Sequence, residues 1–123
     1  MGKGVIVQVD DIRVFLPSKD YEISKSFYQA FGFKMTFVSD DLALFENGEC
    51  FFFLQRFYNE DLAKNLMLQL SVVDINQAYE RVANLKGFEC QLGPIKEEPW
   101  GKVFHLWGPS DELWHITEFT GSE

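Results

Sequence analysis

Two histidines and one arginine stand inside apolar, strand-like segments, where their side chains have chemistry to offer. His105 lies in KVFHLW and His115 in LWHITEF, while Arg13 lies in IRVFLP near the other end of the chain. An imidazole ligates metal ions, transfers protons or forms hydrogen bonds, whereas a guanidinium has no lone pair to give. The histidines therefore belong either to a metal enzyme or to a pocket that only binds.

The spacing within the last segment assigns its side chains to faces. Strand side chains alternate with a period of two, so His115 shares a face with Leu113 and Phe119, while Trp114 points the other way. If that face lines a cavity, His115 forms a hydrogen bond with a ligand; the alternative is a core histidine bonded to a backbone carbonyl. His105 is predicted to be a cross-strand structural partner, and its functional alternative is to line one wall.

Two short segments combine an aromatic ring with carboxylates. Phe37 is followed closely by two aspartates, the second being Asp41, and Trp100 is preceded by two glutamates, the second being Glu98. Aromatic faces with carboxylates suit a flat cation through stacking and cation–π attraction, worth about 0.5–2 kcal/mol per good contact. Each acidic pair alone is explained by a turn or a solvated loop, so the site is inferred only from the whole group.

Other reaction chemistries lack their residues in this sequence. It has no Ser-His-Asp or Cys-His order and no glycine-rich phosphate loop. Cys50 and Cys90 have no CxxC spacing, so both are predicted to be reduced and structural. Proton transfer by His115 with a neighbouring carboxylate stays open.

Composition and charge limit the classes of partner. The 123 residues include 16% aromatic residues, more than a small core needs, and the formal net charge is −8 with a pI of about 4.7. Such a charge repels nucleic acid and anionic membranes and attracts cations, although solubility alone also explains it. No apolar run is long enough to cross a bilayer, and the start has no signal-peptide pattern, so we expect a cytoplasmic protein.

Hydrophobic periodicity and turn residues predict the same order of elements twice. In the first half, the strand IRVFLP precedes a helix ended by Gly32 and the strands FKMTFV, DLALFE and CFFFLQRF. In the second half, the strand LMLQLSVVD precedes the helix INQAYERVANLK, ended by Gly87, and the strands FECQL, KVFHLW and LWHITEF. The predicted fold is α+β: one domain, residues 1–123, in which two βαβββ modules (about 10–57 and 65–120) pair into a curved mixed-sheet cleft.

The sequence resembles the vicinal oxygen chelate superfamily, which holds glyoxalase I, extradiol dioxygenases, fosfomycin-resistance enzymes and bleomycin-resistance proteins. DYEISKSFYQAFGF is similar to its D-x-x-x-S-x-x-FY-x-x-x-GF signature, SVVDINQAYERV to its VxD strand exit, and GPSDELWHITEF to its closing hairpin. Within the superfamily, GFKMTFVSDD, EEPWGKVF and a histidine in the last strand resemble bleomycin-resistance proteins most.

The resemblance also implies where a metal would be held. Enzymes of the superfamily use His and Glu on the first and last strands of each module, and these positions match Arg13, Phe52 or Phe53, Met67 and His115. Arginine and phenylalanine cannot replace those ligands. We therefore expect no metal and no cofactor; the alternative function is a metal-dependent glyoxalase-like lyase or dioxygenase with non-standard ligands.

The resemblance to bleomycin-resistance proteins implies a metal-independent binding protein that sequesters a flat, cationic small molecule at a homodimer interface. Phe37 matches a ring that stacks on the drug and Trp100 a loop tryptophan, whereas Leu42 stands where another aromatic is found. The expected ligand-binding residues are Phe37, Trp100, His115, Arg13, Gln69, Asp41 and Glu98. In the dimer, the VIVQV start is expected to provide a paired edge strand. A cleft that only scaffolds a partner is a further alternative.

Two individual contacts are also expected. If Arg13 is buried, it needs a partner such as Glu118, another acidic side chain or a ligand carboxylate. Trp107 and Trp114 flank the GPSDEL turn, where a cross-strand stack is one reading and a role in the core is the favoured one.

Overall fold

The computed structural model describes residues 7–120 as three helices and nine strands of an α+β fold, which confirms the predicted fold class. The first half of the chain carries β1 (Phe15–Leu16), α1 (Tyr21–Phe31), β2 (Lys34–Ser39), β3 (Leu42–Asn47) and β4 (Cys50–Gln55). The second half carries α2 (Glu60–Asn65), β5 (Met67–Ser71), α3 (Ile75–Ala83), β6 (Gln91–Leu92), β7 (Lys96–Glu98), β8 (Gly101–Trp107) and β9 (Leu113–Phe119).

Each half of the chain builds one mixed sheet. The first has the strand order β1-β4-β3-β2, in which β1 is parallel to β4 and the other pairs are antiparallel. The second has the order β5-β9-β8-β6, with β5 parallel to β9 and with β7 also paired to β8. The two sheets repeat one plan, a short parallel edge strand beside an antiparallel meander.

Side chains from both sheets and two helices form one shared hydrophobic core. Trp114 of the second sheet packs against Tyr28 and Phe52 of the first half, with ring centroids 5.9 and 5.7 Å apart. Phe27 of α1 meets Phe88 from the second half at 5.5 Å. Because strand side chains alternate, the other face of each sheet is directed away from this core.

Local sequence signals explain where the main helices begin and end. Asp20 caps α1 by accepting a hydrogen bond from the Ile23 N–H at 3.1 Å, and Gly32 ends it with φ of 129°. Asp74 caps α3 in the same way, and a Glu118 carboxylate oxygen from β9 accepts the Ile75 N–H at 2.8 Å. A strand side chain thereby satisfies one of the free N–H groups at the start of α3.

A buried polar chain links the two halves beside the aromatic core. The Tyr28 hydroxyl donates to a Glu112 carboxylate oxygen at 2.6 Å and accepts from the Trp114 indole N–H at 2.9 Å. The other oxygen of Glu112 accepts the Ser110 N–H at 2.8 Å, within the β8–β9 turn. Burial and the adjacent Glu112 raise the pKa of Tyr28 well above its ordinary value. Burial likewise raises the pKa of Glu112.

Several element boundaries differ from those that the sequence predicts. The first strand shortens to two residues, and α3 ends at Ala83, capped by Asn84, instead of running to Gly87. The polar connector contains the unpredicted helix α2, which Asn59 caps by accepting the Leu62 N–H at 2.9 Å. The loop before β8 contains the added short strand β7.

The possible stack of Trp107 on Trp114 is wrong, whereas the expected core role holds for Trp114, which is 3% exposed. Trp107 pairs with Leu113 and Leu106 with Trp114, so the two tryptophans lie on opposite faces of the sheet and do not stack. Of the partners left open for Arg13, Glu118 instead accepts a hydrogen bond at the start of α3. Another acidic side chain, Asp11, contacts the Arg13 guanidinium at 3.0 Å.

Candidate functional site

Each sheet presents one face that the shared core does not cover. The first open face carries Arg13, Phe15, Leu44, Phe51 and Phe53, of which Phe15, Phe53 and Leu44 lie side by side on paired strands. The second open face carries Gln69, His105, Trp107, Leu113 and His115 on three adjoining strands. Both faces mix aromatic rings with hydrogen-bonding groups, as ligand sites commonly do.

The first open face is dominated by phenylalanine. Phe15 stacks on Phe53 with ring centroids 4.8 Å apart and an interplanar angle of 22°, yet 49% of Phe15 is exposed. The Arg13 guanidinium lies 4.5 Å from the centroid of Phe51. The ion pair with Asp11 and the contact with the aromatic ring hold the positively charged Arg13 guanidinium at the margin of this face.

The second open face is centred on the two histidines. His105 and His115 are direct cross-strand partners whose ring centroids are 4.6 Å apart at an interplanar angle of 86°. Gln69 pairs with His115 on its other side, and Trp107 lies 5.8 Å from His105. Burial, followed by the nearby charges of His115 and Lys96, lowers the pKa of His105, which favours the neutral imidazole.

Trp100 lies at the turn between β7 and β8, at one end of the second sheet. Its indole is 46% exposed and packs on Phe119 with centroids 6.0 Å apart, and its carbonyl accepts the Thr120 N–H. Gly101, with φ of 154°, follows it, and a Cβ there would lie 2.4 Å from the Glu118 carbonyl oxygen. The chain thus needs glycine at this point, while Glu98 precedes the turn as an exposed residue of β7.

Phe37 lies on β2 and Asp41 in the turn between β2 and β3, apart from Trp100 and the histidines of the second half. Phe37 is paired with Ala43, whose side chain faces the core, so the ring projects on that side at the sheet edge and is 68% exposed. The Asp41 carboxylate accepts from Arg56 at 2.9 Å. Within one chain, the structure brings together His115 and Gln69 from the expected set. Phe37, on β2, Asp41, in the β2–β3 turn, and Arg13, before β1, lie in the half of the chain that forms the first sheet.

The positions at which the resemblance implies metal ligands hold unsuitable side chains. Arg13 is cationic, Phe53 is the fourth-strand residue on the open face, and Met67 is a thioether beside the single imidazole of His115. Across residues 7–120, no three His, Cys, Asp or Glu side chains are grouped so that they could hold a metal ion. This donor set does not fit the hard-cation site of the superfamily's enzymes.

Sequence reasoning missed Phe15 and Phe51 as residues of an open face and left the fourth-strand position open between Phe52 and Phe53. The run CFFFLQ places phenylalanine on both faces of β4, since Phe52 is buried and its two neighbours point the other way. The available signal was the excess of phenylalanine itself. A strand with only one buried face requires an apolar residue at every second position, so consecutive phenylalanines indicate aromatic rings on both faces.

Two grooves lie away from the histidine pair, although the second reaches Trp107 of the second open face. One, of about 480 Å³, lies between the end of α1 and the start of α3 and is lined by residues such as Phe31, Asn47, Val72 and Arg81. The other, of about 450 Å³, is lined by Lys19, Cys90, Trp107 and Asp111 among others. Neither contains the histidine pair or the phenylalanines of the first open face.

Comparison with solved structures identifies the fold. The chain superimposes on a bleomycin-binding protein from bleomycin-producing Streptomyces verticillus, complexed with copper(II)-bleomycin, with a TM-score of 0.76 and 22% identity over 92% of this chain and 98% of that one. It superimposes on TnmS3, an antibiotic-binding protein from Streptomyces sp. CB03234, with a TM-score of 0.79 and 15% identity over 94% and 100%. A glyoxalase/bleomycin resistance protein/dioxygenase from Nocardioides gives 0.72 and 20% over 97% and 89%.

These superpositions confirm the class expected from the sequence: the chain has the vicinal oxygen chelate fold, in the form seen in bleomycin-binding and glyoxalase-related proteins. No family model and no curated protein sequence matches it. No helix within residues 7–120 is both long and apolar enough to cross a membrane.

Proposed function

We propose that this protein binds and sequesters a flat, cationic small molecule without a metal, in a cleft that two copies of the chain form together. The observation that carries the proposal is the pair of open faces, whose aromatic and polar side chains stay partly exposed in the single chain. Bleomycin is the first ligand to test, because the superimposed proteins include one bound to it.

Aromatic exposure on these faces supports a binding role. Phe15 and Trp100 are 49% and 46% exposed, although both are rings that a core would normally bury. Rigid aromatic side chains lose little conformational freedom when a planar ligand stacks on them. His115, Gln69 and Arg13 would supply the hydrogen bonds that orient such a ligand.

The arrangement of the sheets supports a homodimer. One shared core holds the two sheets together, and their open faces are directed away from it, so one chain cannot enclose a ligand between them. A second copy would bring the first open face of one chain opposite the second open face of the other. Phe37 and Asp41 belong to the half of the chain that forms the first sheet, and Trp100 and Glu98 to the half that forms the second, so their sharing of one site would require contact between two chains. In VIVQV, Val5 and Ile6 lie outside the described residues, while Val7 and Val9 are exposed and belong to no strand.

Charge supports the preference for a cation. The formal net charge is −8, and the Glu97 and Glu98 side chains next to Trp100 form no ion pair with the described residues. A cation arriving at this rim gains attraction from the carboxylates and from the indole face. Asp41 would contribute less, because Arg56 already neutralises it.

Calorimetric titration with metal-free bleomycin, with and without a chelator, tests the proposal. Binding of one drug per cleft that is unchanged by the chelator and weakens as salt increases is the expected result. A flat titration curve for bleomycin and for a panel of planar cations would contradict it. If the purified protein instead loses an activity to the chelator and regains it with metal, the lyase or dioxygenase alternative is correct.

A further inference from the structure

We propose that His105 and His115 form a two-imidazole binding site for a borderline divalent transition metal ion such as Cu²⁺, Ni²⁺ or Zn²⁺. The metal site does not depend on the organic ligand, although both would use His115 and Gln69, and it shares only position 115 with the superfamily's metal set. The proposal rests on the position of the two histidines, which lie directly opposite each other on neighbouring strands of a partly exposed sheet face.

The distance between the rings fits chelation. Metal–nitrogen bonds of roughly 2.0–2.1 Å meeting at about 90–110° put the centroids of two bound imidazoles roughly 4.5–5.2 Å apart. The His105 and His115 centroids are 4.6 Å apart, within that range. The rings now meet edge to face at 86°, so one must turn about its Cβ–Cγ bond to aim both nitrogens at one point. That torsion is soft for histidine.

The backbone beneath the pair is rigid. β8 and β9 are paired along their whole length, from Gly101 opposite Phe119 to Trp107 opposite Leu113, with the histidines at the centre. The two Cβ atoms of such a directly opposed pair are held about 4.5–5.5 Å apart. A metal ion therefore needs only side-chain rotation, which keeps the ordering cost of binding small.

The ring nitrogens have no competing partner within the described chain. No side-chain hydrogen bond joins either imidazole to another residue among positions 7–120, and both rings are only partly buried. Gln69 lies next to His115 on β5, where its carbonyl oxygen or a water can complete the coordination. Lys96 is a nearby positive charge that would repel the metal ion. It pairs with Val103, which lies two residues before His105 on β8.

Titration of the untagged full-length protein with CuCl₂, NiCl₂ and ZnCl₂ tests the site. We expect one ion per chain, with copper bound most tightly. His105→Gln and His115→Gln should each weaken copper binding about tenfold or more, because each removes half of the chelate. Lys96→Gln should strengthen it roughly two- to tenfold by removing a positive charge. Glu80→Gln, an exposed carboxylate on α3, is the matched control and should leave it unchanged.

The spectrum of the copper complex gives a second readout. Electron spin echo envelope modulation should detect two imidazoles bound to copper in the wild type and one in each histidine variant. Melting temperatures of the metal-free variants show whether they are folded. One imidazole in the wild type, or copper affinity unchanged in either histidine variant, would overturn the proposal. Since no drug is present, failure here leaves the bleomycin titration untouched, and the reverse also holds.

Discussion

At the scale of single residues, Trp100 combines a restrained backbone with an accessible ring. Pro99 precedes it, Gly101 follows it, and its indole packs on Phe119 while 46% of the side chain stays exposed. An anchor that is already ordered before the ligand arrives contributes more affinity than a mobile one. Trp100 is therefore the residue whose truncation tests the proposed cleft most directly.

Trp100→Ala should weaken bleomycin binding by about 1–3 kcal/mol, the range of an aromatic anchor. The melting temperature should change little, because the ring lies at the margin of the fold. Calorimetric titration beside thermal melts measures both quantities, and Val73→Ala, at a residue that is 97% exposed, is a control for loss of exposed apolar surface. Equal affinities would remove Trp100 from the site, and a collapsed melting temperature would make it a core residue.

Tyr28 is the residue on which the buried polar chain depends. Its hydroxyl donates to Glu112 and accepts from Trp114, so Tyr28→Phe would leave a buried carboxylate oxygen and a buried indole N–H without partners. We expect a loss of about 1–3 kcal/mol in the free energy of unfolding, or more because one partner is ionisable. Urea denaturation measures it. Tyr79→Phe is the matched control, since Tyr79 packs edge-on against Phe104 and should tolerate the loss of its hydroxyl.

Glu112 should make stability depend on pH. Burial raises its pKa above the ordinary value of 4.5, so the folded state holds this proton more tightly than the unfolded state. Its contribution is fully present below that ordinary value and is lost as pH rises through the raised pKa. As pH rises above 4.5, the wild-type protein should therefore lose a stabilising contribution that Glu112→Gln does not have. The urea midpoint of wild type should decrease relative to that of the variant over this range. Parallel curves would show that the carboxyl titrates normally.

At the scale of elements, the start of β8 depends on glycine. A Cβ on Gly101 would lie 2.4 Å from the Glu118 carbonyl oxygen, and its φ of 154° is one that other residues rarely adopt. Gly101→Ala should cost about 1–3 kcal/mol of stability through strain and should displace the neighbouring Trp100. Thermal denaturation and tryptophan fluorescence report the two effects. Gly48→Ala is the control: its φ is 60°, but no atom lies within 4 Å of the added carbon, so it carries backbone strain without the collision.

The sequence predicted elements well where a local signal marks them. Gly32 ends α1 as expected, and alternation identified the long strands β8 and β9. Gly87 misled the prediction of α3, because the helix already ends at Ala83, capped by Asn84, and the glycine lies in the loop beyond it. The six-residue α2 was missed because a helix that short has no apolar periodicity to read.

The sequence could not predict the register of neighbouring strands or the contacts between two copies of the chain. Pairing Trp107 with Trp114 requires a register one residue away from the observed one, and such a shift moves a side chain to the other face of the sheet. Alternation within β9 was enough to separate His115 from Trp114, but not to show that His105 lies directly opposite. The roles of Phe37, Asp41 and Glu98 in binding stay predictions, because they depend on how two chains meet.

At the scale of the whole molecule, the open faces predict self-association. Light scattering at micromolar concentration should give the mass of a dimer. Phe15→Asp, which places a charge on the first open face, should yield a folded monomer that no longer binds bleomycin, because burying an unpaired carboxylate costs several kcal/mol, roughly the strength of such an interface. Ile23→Asp, at an exposed position on α1, is the matched control and should stay dimeric. A wild-type monomer would contradict the shared cleft.

The three tryptophans occupy such different surroundings that the chain carries its own fluorescent probes. Trp114 is 3% exposed and bonded to Tyr28 inside the core, so its emission should stay blue and resist an aqueous quencher until the two sheets separate. Trp100, at 46% exposure, should emit further to the red and be quenched readily. Trp107 lies 5.8 Å from His105, close enough for an imidazole or a bound paramagnetic ion to quench it. One emission spectrum, recorded with and without quencher, therefore separates unfolding from events at the turn and at the histidine pair.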